Sequence, residues 1–160
     1  MSIESAINKR RQEKANKINE TVSACRLHTK QKLDQEAVDI AKLEREIKED
    51  IDIVKELMDA GANKTELEIL ERHVEEKKRH LRNLEQSKAI VEALSQLETV
   101  IRECFKLEWY RYIIRFVPYK RIVKLIKAQN EDGNATLLEV LQLATSNIKS
   151  KLKHILTIRA

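Results

Sequence analysis

Three side chains in this sequence have the types and spacing of metal ligands. His73, Glu76 and His80 recur at intervals of three and four, which on a helix brings them toward one surface. Metal sites in helical bundles draw ligands from facing helices. In the heptad set by Leu67 these three fall beside or away from the apolar seam, with no further ligand evident opposite them. Solvated side chains and no metal are therefore expected. Cys25 and His28 share a helix face one turn apart, but no second pair completes a set of four ligands, so a buried thiol beside an exposed imidazole is expected. There is no Gly-rich phosphate loop and no Gly-x-Ser-x-Gly, and two glycines are too few to build a tight catalytic turn. Neither enzyme activity nor a cofactor is expected.

The chemistry that remains is electrostatic. Arg111, Arg115, Lys120, Arg121, Lys124 and Lys127 sit among aromatic and branched apolar residues, a composition found in nucleic-acid grooves and in helices that lie on anionic membranes. The plainer reading is a solvated face, or one neutralised by the acidic hairpin or by an acidic partner. The net charge of +5 is unevenly spread. Residues 1–33 carry eight Lys or Arg against three Glu, residues 34–104 twelve against nineteen acidic, and residues 105–160 eleven against four. Opposite blocks of this kind can attract one another within a fold or present separate surfaces to partners.

These cations are placed by the stretch Ile101 to Tyr119, which holds every aromatic residue: Phe105, Trp109, Tyr110, Tyr112, Phe116 and Tyr119. Read as one helix, Phe105, Trp109, Tyr112 and Phe116 share a face, and Leu107, Tyr110, Ile114 and Val117 form a second apolar row. Glu108, Arg111 and Arg115 are left as a narrow polar strip. A helix apolar nearly all round is enclosed by neighbours, so this segment is expected to be a core hub and a place where partners bind.

Upstream, the apolar positions Ile18, Val22, Cys25, Leu33, Ala37, Ile40, Leu43, Ile47, Ile51, Val54 and Met58 form a coiled-coil-like stripe. Gly61 can take the left-handed conformation that ends a helix, and Thr65 with Glu68 reads as a capping box starting the next one. A second stripe follows at Leu67, Leu70, Val74, Lys77, Leu81, Leu84, Lys88 and Val91. Folding about Gly61 pairs Val54 with Leu70, Ile51 with Val74, Ile47 with Lys77, Ile40 with Leu84, Ala37 with Lys88 and Leu33 with Val91. Met58 meets Leu67, and each pair of numbers sums to 124 or 125. Lys77 and Lys88 on a seam are expected to snorkel or to mark register. Beyond Lys88 the apolar face widens, so the rest of the chain should dock there.

Pro118 should interrupt the hub, with a short helix from Tyr119 to Gln129 after it. Asn130 to Asn134 reads as a loop, and Thr136 with Glu139 as a second capping box. It opens a last amphipathic helix that ends basic at Lys149, Lys151, Lys153, His154 and Arg159. Helical spacing persists to Ala160, as in a piece of a longer protein.

The sequence thus reads as all-α: a long antiparallel coiled-coil hairpin over residues 18–104, after a basic, partly frayed segment 1–17, leading into a small helical head with the aromatic hub over 105–160. Two Gly, one Pro and 36% charged residues fit long helices with few turns. No apolar run approaches a membrane span, Met1 to Lys17 lacks a signal-type core, and the two cysteines are not a disulfide framework, so an intracellular location is expected. The expected role is a scaffold-type subunit of a larger assembly whose partners are other protein subunits. The alternative is a module that binds nucleic acid or an anionic membrane surface through its basic C-terminal helices.

Overall fold

The computed structural model describes the backbone of residues 2–159, and their side chains save those of residues 37–39, 156, 158 and 159. The expected pairing of Ala37 with Lys88, and the expectations for Arg159 and Ala160, lie outside the described residues. Among the described residues five α-helices follow in order: α1 (Ile3–Asp59), α2 (Lys64–Lys106), α3 (Tyr110–Phe116), α4 (Tyr119–Ala128) and α5 (Glu131–Arg159). The protein is all-α, with no strand among the described residues. It divides into two compact units: Gln31–Lys88, and the residues up to Lys30 together with those from Ala89 onward.

The unit Gln31–Lys88 is a helical hairpin made from the second part of α1 and the first part of α2. Its core is one stripe in which Leu43, Ile47 and Leu84 are buried and Ile40, Ile51 and Leu81 pack against them. Lys77 faces α1 as the stripe requires, its ammonium 2.6 Å from Asp50 and 3.5 Å from Glu46. The Asp50 hydrogen bond raises the Lys77 pKa above its ordinary value, with burial acting in the opposite sense. Lys88 is exposed. The turn is a Schellman motif, in which the N–H of Ala62 donates to the Leu57 carbonyl and that of Gly61 to Met58. Gly61 is left-handed at φ +77°, where a side chain would be strained. The expected Thr65–Glu68 capping box does not form. Asn63 caps α2 instead, its side-chain oxygen accepting from the Thr65 N–H at 3.1 Å, because it stands directly before the first helical residue and Thr65 is already inside.

The other unit holds the main core. From α1 it takes Ala15, Ile18, Val22 and Cys25, at intervals of three and four. Helix α2 adds the wide face from Ile90 to Cys104, and α5 contributes Leu137, Leu141, Ala144 and Ile148. Within this unit Arg26 of α1 pairs with Glu98 of α2, both partly buried, and the two numbers again sum to 124.

The hub is not one helix. α2 ends at Lys106, and a second Schellman motif turns the chain: Trp109 N–H donates to the Cys104 carbonyl at 2.9 Å and Glu108 N–H to Phe105 at 3.2 Å. Glu108 takes the left-handed position, φ +57°, that Gly61 takes in the hairpin. The reason lies in the apolar pattern. Ile101 and Tyr110, like Cys104 and Ile113, are nine residues apart, about two and a half helical turns, so an unbroken helix would point them in opposite directions. The break brings all four into the same core. Consequently the expected row of Phe105, Trp109, Tyr112 and Phe116 is not the buried face. Tyr110, Tyr112, Ile113 and Val117 are buried, while Phe105, Trp109, Phe116 and Tyr119 are half-buried at the margin.

Pro118 separates α3 from α4 as expected. The Asn130–Asn134 segment, however, is not a loop. Asn130 is the cap of α5, its side-chain oxygen accepting from the Gly133 N–H at 2.5 Å, and residues 131–134 form the first turn. Glu131 and Asp132 favour a helix start through the dipole, whereas Thr136 already lies inside and donates its hydroxyl to the Asp132 carbonyl.

Candidate interaction surfaces

Helices α3 and α4 each bury a short apolar face and turn their cations outward. With Tyr110, Tyr112 and Ile113 committed to the core, Arg111 and Arg115 reach solvent; with Ile122 buried, so do Lys120, Arg121, Lys124 and Lys127. Three of the six lie on aromatic rings: Arg111 on Tyr112 at 4.9 Å, Arg115 on Phe116 at 5.3 Å and Lys120 on Tyr119 at 5.9 Å from the ring centres. Arg111 also donates to the Tyr112 hydroxyl at 3.0 Å. The rings brace one another, Phe105 edge-on to Tyr110, Trp109 edge-on to Tyr112, and Tyr112 stacked with Phe116. No acidic residue occurs between Trp109 and Asn130. Among the described residues none of these six cations pairs with a carboxylate. The strip is therefore a fixed, uncompensated positive surface with half-exposed rings at its margin.

The hairpin carries a surface of opposite sign around its turn. Residues 49–71 contain eight acidic side chains and two lysines. Asp50 is engaged by Lys77, while Glu49, Asp52, Glu56, Asp59, Glu66, Glu68 and Glu71 are exposed. Among them Ile53, Met58 and Ile69 are 45%, 57% and 50% exposed. The expected seam partnership of Met58 with Leu67 therefore leaves Met58 largely in solvent. Ile53 and Ile69 are not among the expected stripe residues; both fall between stripe positions, the signal in the sequence that a pair of helices leaves them uncovered.

The other sequence candidates have plain surroundings. Cys25 and Cys104 are free and buried. Burial raises both thiol pKa values, that of Cys104 to about 11 with a smaller push from the Glu103 carboxylate, so both stay protonated and weakly nucleophilic at neutral pH. His28, His73, Glu76 and His80 are exposed. Among the described residues no group of three or more His, Cys, Asp or Glu is placed to hold a metal ion, and no helix is long and apolar enough to cross a membrane. A shallow cleft of about 260 Å³ is lined by Asn19, Ser23, Glu98, Arg102 and Phe105, with Glu98 already paired to Arg26. Comparison with protein-family models, with curated proteins and with solved structures finds no significant match.

Proposed function

We propose that this chain is a non-catalytic, scaffold-type subunit that binds other protein subunits through helix–helix contacts of coiled-coil character, inside the cell. The observation that carries the reading is the apolar surface left around the hairpin turn: Ile53, Met58 and Ile69 are about half exposed in a two-helix element that buries only one stripe. A third helix or a second hairpin laid along such a flank would cover side chains that two helices cannot. Two buried, unpaired thiols fit a reducing compartment. Sedimentation equilibrium on the purified chain tests the reading. Association in the micromolar range is expected, and a well-behaved monomer throughout that range would sink it.

The uncompensated cations of α3 and α4 favour a second reading, a binding module for nucleic acid or an anionic membrane. Such binding gains from counterion release and weakens steeply with added salt. Titration with a short single-stranded oligonucleotide and with phosphatidylserine vesicles, each across a salt series, measures it. Tight binding that survives physiological salt would place this reading first.

A further inference from the structure

We propose that the acidic, apolar turn region of the hairpin docks on the α3–α4 basic strip of a second copy of this chain. The inference rests on the subunit reading and names the partner. Each surface lacks, in its own surroundings, what the other offers. The strip presents six exposed cations with no carboxylate partner among the described residues and half-exposed Trp109, Phe116 and Tyr119 at its margin. The turn region presents seven exposed carboxylates around Ile53, Met58 and Ile69.

Charge complementarity of this kind steers encounter and fixes orientation, while the apolar side chains supply the area that holds a complex together. A nucleic acid or a lipid headgroup would satisfy the strip and leave the three apolar side chains uncovered, and the acidic turn region would repel either one. A second copy answers both surfaces at once. The contact is heterologous, turn region to strip, so each copy keeps one surface of each kind free and association continues beyond a dimer unless the geometry closes a ring.

Charge exchange in the full-length chain is the test. One variant carries Lys120→Glu, Arg121→Glu, Lys124→Glu and Lys127→Glu. Another carries Asp52→Lys, Glu56→Lys, Asp59→Lys and Glu71→Lys, which leaves the first turn of α2 untouched. A third carries all eight. By sedimentation, each four-residue variant is expected to associate at least about tenfold more weakly than the parent, and the eight-residue variant to regain association to within roughly threefold. Circular dichroism checks that each remains helical.

A measurement on the unaltered chain guards against variants that fail to fold: raising salt should weaken its self-association by about tenfold or more as the charges are screened. Association that persists in both four-residue variants, or is insensitive to salt, overturns the pairing and leaves the subunit reading standing. A failure of the eight-residue variant to recover also overturns the pairing. A monomeric parent overturns both. If the parent instead binds the oligonucleotide or the vesicles at physiological salt and does not self-associate, the strip belongs to a polyanion and the proposal falls.

Discussion

The two compact units are built from the same two long helices and differ in how many neighbours each helix has. In the hairpin unit α1 and α2 have only each other, and the described buried side chains are Leu43, Ile47, Val74 and Leu84, with Ile40, Ile51 and Leu81 packed against the stripe. In the other unit the same helices meet α3, α4 and α5, and 22 described residues are buried in one cluster, enough for α2 to bury its wide face from Ile90 to Cys104. A helix with one partner can bury one stripe and leaves its flanks for solvent or for another molecule. The larger unit therefore carries most of the stability, while the hairpin leaves its flanks as surface. Opening free energies should differ accordingly, with the hairpin at the low end.

Core truncation should show the largest contrast. Ile113 is fully buried, and Ile113→Ala should lower global stability by about 2–5 kcal/mol. Ile51, half-buried in the hairpin, should give a smaller loss on Ile51→Ala, seen as faster amide exchange confined to residues 31–88. Trp109→Ala should fall short of the roughly 3–5 kcal/mol of a fully buried ring, because Trp109 is only half-buried. Equal effects of Ile113→Ala and Ile51→Ala in denaturant melts would erase the distinction.

Alkaline pH should act on the compact unit next. The Cys104 thiol is raised from 9.0 to about 11 in the folded chain. The unfolded chain releases this proton first, so the stability linked to it is complete below about pH 9 and lost as pH rises through about 11. A two-unit shift is worth about 2–3 kcal/mol. Cys104→Ala should remove this component, so the parent and variant melting curves should differ in their dependence on pH across that window. Parallel curves would show that burial does not hold the thiol.

The two helix stops give the finest comparison, since one motif is built with different residues. Gly61→Ala places a side chain at φ +77° and should destabilise the hairpin by about 1–2 kcal/mol, with no steric contact to add to it. Glu108→Gly relieves the same conformation at φ +57° but loosens the unfolded chain, so a gain of a few tenths to about 1 kcal/mol is expected. Thermal melts that move both variants in one direction would refute the shared motif.

What could be read from the sequence was what short-range chemistry encodes. The hairpin register came from apolar periodicity, and Lys77 meets Glu46 and Asp50 where that register places it. Gly61 stops α1 by taking the left-handed conformation that a side chain disfavours, and Pro118 separates α3 from α4 because it has no N–H to donate and its ring crowds the preceding turn. The caps lie two or more residues before the expected threonines because Asn63 and Asn130 compete with them for the same role, and only the helix start decides which side chain is outside it. The break at Leu107 to Trp109 has no glycine or proline to announce it. It follows from a demand on the whole core, that Ile101 and Tyr110, half a turn out of phase, be buried together. The charge distribution was settled in the same way. Basic blocks at opposite ends of the sequence fall in one unit, with 19 basic residues against 10 acidic, while the hairpin unit has 12 against 16. Local sequence assigns each residue a helix and a face. Which faces share a core, and which are left over as surface, depends on neighbours distant in the chain, and that only the tertiary structure decides.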